Sequence, residues 1–255
     1  MTLRISVVTA VFNRAGTVAQ ALASVAGQTW PAVEHVVIDG GSTDGTLEIL
    51  QAHRGQLAVL VSEPDHGIYD ALNKGIRHAT GDVVGFMHAD DLFESPDSLA
   101  QVAAAFADPA VEAVYGDLVY VRQDDPSRVV RYWRAGPVEP GCLERGWMPP
   151  HPTLYVRRGV YQRLGGFDTR FRIAADYECI LRFFGRGGIR PVYLPRVLVR
   201  MRLGGISNQS VAAMLRKSRE DLVAMRLHGL GGASALVRKN LSKLPQFVSR
   251  APGRA

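Results

Sequence analysis

Two adjacent carboxylates, Asp90 and Asp91, close an apolar stretch that runs Val83-Val84-Gly85-Phe86-Met87-His88-Ala89. An apolar run of this length, set between Gly81-Asp82 and Ser95-Pro96, reads as a buried strand. Acids at its carboxyl end fall where open α/β sheets bind ligands. Paired carboxylates in that position suit a hard divalent cation. Mg2+ or Mn2+ takes one or two carboxylates and fills its remaining positions with substrate phosphates and water. Asp is also a favoured helix N-cap, so the same two acids could simply start the next helix. The choice between these readings depends on the surrounding elements.

Those elements alternate. Ile5 to Thr9 is β-branched and apolar, a first strand, followed by the loop Ala10-Val11-Phe12-Asn13-Arg14 and a helix from Thr17 to Ala26. Val33 to Asp39 reads as a second strand, Thr46 to His53 as a helix, Leu57 to Ser62 as a third strand and Ile68 to Ala79 as a helix. Four strand–helix alternations at spacings of about 25 to 30 residues predict an α/β fold with a mostly parallel, doubly wound sheet. Asp39 at the end of the second strand resembles the acid of dinucleotide-binding folds. The first turn excludes that fold, because Thr9 to Val18 holds a single glycine and no G-x-G-x-x-G. Asp39 is then free to bond a base or ribose, while phosphates fall to Asp90 and Asp91 with a metal.

The second half is less regular. A helix is expected from Ser95 to Phe106, a strand from Val111 to Asp117, and a hairpin from Leu118 to Arg134 turning at Asp124-Asp125-Pro126-Ser127. Gly136 to Pro150 is rich in Pro and Gly and reads as a loop. A short helix near Val160 to Leu164 and a longer one from Ala174 to Gly185 follow. Two short strands are expected around Val192 to Leu194 and Val197 to Met201. From Asn208 onward, Val211, Met214, Leu215, Leu222 and Met225 recur at helical spacing among Arg216, Lys217, Arg219 and Glu220, which predicts an amphipathic helix. The expected division is therefore a domain of residues 1–207, split into halves 1–120 and 121–207, followed by basic C-terminal helices over 208–255.

Charge follows the same division. Residues 1–121 carry 5 Lys/Arg against 15 Asp/Glu, residues 122–221 carry 19 against 9, and residues 222–255 carry 6 against none. An acidic half with a metal candidate and an arginine-rich half suggest one part binding a metal-chelated ligand and another receiving something anionic, although arginine can also serve solubility alone. Hydrophobic residues make up 47% of the 255, enough for a sizeable core and too many for disorder. No apolar run reaches the roughly 18 residues of a membrane span, and Arg4 leads directly into a strand without a leader pattern. Cys142 and Cys179 make neither a metal spacing nor a disulfide framework, so a cytoplasmic protein with reduced thiols is expected.

Taken together, five segments resemble the family 2 glycosyltransferases of the A-type fold, particularly bacterial enzymes of polysaccharide assembly. They are Ser6 to Arg14, Val37 to Thr46, Ser62 to Gly75 with His66-Gly67-Ile68-Tyr69-Asp70 at its centre, His88-Ala89-Asp90-Asp91, and Ala174-Ala175-Asp176-Tyr177-Glu178. The resemblance spans roughly Ile5 to Asn208, and its strength lies in the order of the segments. It implies a nucleotide-sugar donor and a glycan or lipid-linked acceptor, with no nucleic acid partner. Ala10, Asn13 and Arg14 would line the base pocket, with Asp39 on the base or ribose. Asp90 and Asp91 would match the ribose, diphosphate and metal motif, with Asp91 as metal ligand, and Asp176 would be the catalytic base. His88 stands where many relatives have Asp. A histidine can still bind a divalent metal or bond a phosphate.

Elementary chemistry supports these roles. Displacing a nucleoside diphosphate builds charge on the leaving phosphates that a Lewis acid stabilises, and the attacking hydroxyl needs a positioned base. Asp176 could otherwise be a first-turn acid favoured by the helix dipole. Lys74 could touch phosphate or lie on the surface, His151 could border the acceptor or be structural, and Glu63 and Asp65 could border the donor site or shape the Pro64 turn. A nucleotidyltransferase and a non-catalytic nucleotide-sugar binder remain as alternatives. In the tail, Leu236, Leu241, Leu244, Phe247 and Val248 accompany six basic residues, with Pro245 interrupting any long helix. Such a tail could attach peripherally to an anionic membrane surface at the inner face of the cell membrane, or pack back on the domain.

Overall fold

A computed structural model describes residues 2–204 and 211–241. The four expected alternations are present as β1 (Ile5–Val11), α1 (Val18–Ala26), β2 (Val33–Asp39), α2 (Thr46–Ala52), β3 (Val59–Ser62), α3 (Ile68–His78) and β4 (Val83–Phe86). β1 lies between β2 and β4 and is parallel to both, so that Val8 pairs with Val36 on one side and Phe86 on the other. Its side chains alternate between two cores. Val8 and Ala10 face the core completed by α3, whereas Ile5, Val7 and Val11 face the opposite side, toward α1. A strand buried on both faces needs the near-continuous apolar run that this sequence supplies.

The remaining elements are β5 (Leu92–Phe93), α4 (Ser98–Ala105), β6 (Ala113–Val121), β7 (Val129–Trp133), β8 (Tyr155–Arg157), α5 (Arg158–Leu164), α6 (Ala175–Leu181), β9 (Pro191–Arg202), α7 (Val211–His228) and α8 (Ala233–Leu241). The sheet order is β3-β2-β1-β4-β8-β6-β9-β5, with β7 hairpinned to β6. β8 runs antiparallel between β4 and β6, so β6 and β9 again point the same way as β1 and β4. Tyr155 of β8 crosses directly over Gly85. A Cβ at Gly85 would come 2.1 Å from the Tyr155 ring, so only glycine admits this crossing.

Three expectations change. β4 ends at Phe86, and Asp90 and Asp91 sit on an irregular segment beyond it. Where a strand and a separate hairpin were expected, β6 is one nine-residue strand that pairs with β9 on both sides of Asp117 and whose second half forms the expected hairpin with β7. β9 is likewise a single strand of twelve residues. Pro195 interrupts its sequence pattern, and register shifts beside Asp117 absorb the irregularity.

α7 and α8 share the main core through Ala224, Met225 and Ala235. Their exposed side carries Met214, Leu215, Val223, Leu227, Val237 and Leu241. Of the tail positions singled out above, Lys243, Leu244, Pro245, Phe247, Val248, Arg250 and Arg254 lie outside the described residues.

Candidate active site

The loops after β1 and β2 are fastened to each other. Asn13 adopts φ 51°, a left-handed conformation that Asn tolerates better than most residues. This turns its backbone N–H to the Ser42 hydroxyl at 2.9 Å, while its side-chain carbonyl accepts the Thr43 N–H at 2.9 Å. The Arg14 and Ala15 amides donate to Thr46 Oγ1 and Asp44 Oδ2. Beneath them Asp39 is fully buried at the end of β2. Its carboxylate accepts hydroxyl hydrogen bonds from Ser42 and from Ser62 of β3, the latter at 2.6 Å. Asp39 therefore organises the loops from beneath. Ala10 is buried at the end of β1. Phe12, not singled out from sequence, projects 56% exposed beside Gly40, and Asp65 crowds the same side of that glycine.

Asp90 and Asp91 part company. The Asp90 side chain is 30% exposed and lies 3.8 Å from the Arg14 guanidinium. Asp91 points inward and is 1% exposed. Its Oδ1 accepts the Arg202 N–H at 3.1 Å, and its Oδ2 meets no hydrogen-bond donor. Burial, reinforced by the charge of Asp90, holds the Asp91 carboxyl well above the usual carboxylate range. Asp90 is thus the more accessible of the two carboxylates for a cation, and Asp91 is the one turned toward β9. Arg202, at the end of β9, secures the segment by donating to the Asp90 carbonyl and to Gln20 of α1.

Asp176 sits in the first turn of α6, half-buried. Its Oδ1 accepts the Tyr177 N–H at 2.8 Å and lies 3.2 Å from the Tyr69 hydroxyl of α3. The Tyr69 hydroxyl shares its one proton between Asp176 and the Ile173 carbonyl, 2.8 Å away. The charges of Asp90 and Asp176 both pull on the His88 imidazole, which lies between the acid segment and the start of α6. Burial pushes the His88 imidazole below its ordinary value against the pull of those two acids. His151, stacked on Phe86 at 5.2 Å and 5.9 Å from the His88 ring, is depressed to about 4, mainly by burial.

Among the described residues, no group of three or more His, Cys, Asp or Glu side chains forms a metal cage. Asp90 and a neutral His88 offer two donors at the mouth of the site. That set fits a cation completed by substrate phosphate and water, the usual manner of Mg2+ and Mn2+. Lys74 is occupied elsewhere, bonding Glu63 at 2.7 Å and the Pro64 carbonyl at 2.9 Å, and so stiffens the loop that carries Asp65.

The family model described as Glycosyl transferase family 2 matches residues 6–172, from β1 past the acid segment to the threshold of α6. The chain belongs to glycosyl transferase family 2. It is 31% identical over 211 residues to a PGL/p-HBAD biosynthesis glycosyltransferase of Mycobacterium tuberculosis, covering 81% of this chain and 80% of that protein. A glycosyltransferase of Bacillus subtilis named EpsE is 28% identical over 190 residues, covering 72% and 68%. Among solved structures, the fold matches a mannosyltransferase of Pyrobaculum calidifontis in complex with GDP-Man and Mn2+, with a TM-score of 0.66, 23% identity and coverage of 97% and 74%. It also matches S. aureus TarS in complex with UDP-GlcNAc, with a TM-score of 0.64, 17% identity and coverage of 96% and 72%. This glycosyltransferase thus has the A-type fold. Family membership favours sugar transfer over the nucleotidyltransferase and non-catalytic alternatives.

Proposed function

We propose that this glycosyltransferase moves a sugar from a nucleotide-sugar donor to a glycan or lipid-linked acceptor by inverting displacement, with Asp176 as base. The observation that carries this reading is that the segment beyond β4 bearing His88 and Asp90 lies near Asp176 of α6, so that both acids act on the His88 imidazole. The donor's base enters between the loops of Asn13 and Ser42, against the exposed Phe12 ring. Arg14 stands beside Asp90 and adds positive charge where the diphosphate lies. Asp90 and His88 would hold a divalent cation, which supplies Lewis-acid stabilisation of the leaving phosphates when bound. Asp176 removes the proton of the acceptor hydroxyl as that oxygen attacks the anomeric carbon from the face opposite the departing nucleoside diphosphate. One displacement inverts the configuration.

The arginine-rich half supports an anionic acceptor such as a lipid-linked sugar. Among the described residues no helix is long and apolar enough to cross a membrane. The exposed apolar residues of α7 and α8, with Arg216, Arg219, Arg226 and Arg238 among them, support peripheral attachment to an anionic membrane surface at its cytoplasmic side. The central experiment supplies a panel of nucleotide sugars and Mn2+ with lipid-linked acceptors, follows release of nucleoside diphosphate, and determines the anomeric configuration of the product by NMR. Retention of configuration would overturn the single-displacement reading, and release of pyrophosphate would overturn the donor class.

A further inference from the structure

The two helices that follow the family-matched region hold α6 through charged side chains at its first turns. α6 begins with Ala174 at its N-cap, which has no side chain able to satisfy the free amides of a helix start. Glu220 of α7 binds the amides just ahead of that turn, its Oε2 taking the N–H groups of Ile173 at 2.8 Å and of the N-cap Ala174 at 3.0 Å. The carbonyl of the same Ile173 accepts the Tyr69 hydroxyl, which also reaches Asp176. The two residues that lead into the Asp176 turn are thus held by their amides from α7 and by a carbonyl from α3.

The grip continues along the helix. Lys239 of α8 sits 3.0 Å above the centre of the Tyr177 ring, the residue next to Asp176, and pairs with the buried Asp221 at 2.9 Å. At the next position, buried Glu178 meets His228 of α7 at 2.9 Å. These ties cost desolvation that an apolar packing face would avoid, so their placement around Asp176 calls for a reason.

We propose that Glu220 is a positioning residue for glycosyl transfer: it fixes the entry to α6 so that the Asp176 carboxylate meets the acceptor hydroxyl, which makes the C-terminal helices part of the active site. The inference rests on the reading of Asp176 as base. A carboxylate acceptor makes hydrogen bonds roughly twice as strong as a neutral one. An error of about 1 Å in the placement of a reacting group can cost 10²-fold in rate.

The test is a graded series on the full chain, with Glu220→Gln, Glu220→Ala and the benchmark Asp176→Asn, measuring kcat, donor affinity by calorimetry and Tm. Glutamine keeps both bonds without the charge, and alanine removes them. The expected order of kcat is wild type, then Gln a few-fold lower, then Ala at least tenfold lower, with donor affinity unchanged within twofold. A flat series, or donor affinity falling in step with kcat, overturns the proposal. Should the alanine variant fail to fold, the glutamine variant decides alone, and wild-type kcat in it overturns the role. If Asp176→Asn is itself fully active, the base assignment falls and the positioning role with it. If Asp176→Asn is dead while the Glu220 series is flat, only the positioning role falls.

Discussion

The Tyr69 hydroxyl reaches Asp176 Oδ1 at 3.2 Å and joins α3 to α6 across 107 positions of sequence. Burial, with the charge of Asp176 adding to it, pushes that hydroxyl well above its ordinary value. Tyr69 therefore remains a donor throughout the working pH range. Tyr69→Phe should lower kcat about tenfold, the scale of one hydrogen bond to a charged group, with little change in donor KM. A kcat equal to wild type would show that the contact does not orient the base.

Asp176→Asn should reduce turnover by roughly 10² or more, since a positioned base contributes about that much. Donor affinity measured by calorimetry should stay near wild type. Normal turnover, or lost donor binding in its place, would assign Asp176 another role.

The adjacent acids should behave differently. Asp91 is buried and turned toward β9, so Asp91→Asn, which keeps an acceptor for the Arg202 N–H, should keep most activity, while Asp90→Asn should lose at least tenfold more and show a changed Mn2+ dependence. Titrating activity against Mn2+ in both variants distinguishes them. The reverse ranking would return the metal to Asp91.

His35 is buried against Thr9 at 3.0 Å and depressed to about 4 by burial. A histidine with a lower pKa folded than unfolded binds its proton more readily once the chain unfolds. Its contribution to stability is complete above about pH 6.5 and is lost as pH falls toward 4, by about 3 kcal/mol in total. Urea melts between pH 7 and 4 should show this loss, and His35→Gln should flatten it. An unchanged slope in the variant would place the acid sensitivity elsewhere, His151 being the next group to test.

Attachment to membranes is testable by sedimentation with vesicles. The full chain should pellet with anionic vesicles at low salt and be released as salt rises, because each basic side chain near such a surface contributes about 1 kcal/mol and is screened beyond a Debye length. Arg226→Glu combined with Arg238→Glu should weaken binding at least tenfold. Indifference of the wild type to anionic vesicles at low salt would leave the exposed face merely solvated.

Local pattern revealed the donor-side elements well. β2 has the bounds its sequence suggests, because valine and isoleucine buried on both faces leave no other reading. What the sequence concealed is non-local. Asp90 and Asp91 look alike as neighbours, and only Arg202, more than a hundred positions away, shows which one turns inward. The three residues of β8 are too few to carry a period and acquire their role from Gly85 beneath Tyr155. Glu220 reads as one charge on an amphipathic helix until its distance to the Ile173 amide is known.

The strand order has one further consequence. β4 is covered on its far side by β8, which arrives about seventy positions later in the chain. While the chain is being synthesised, Val83 and Val84 therefore present an open, apolar sheet edge until residues 155–157 emerge. Such an edge recruits strands from other molecules. A piece ending near residue 120 should thus aggregate rather than bind nucleotide, because the edge that β8 covers in the full chain stays open.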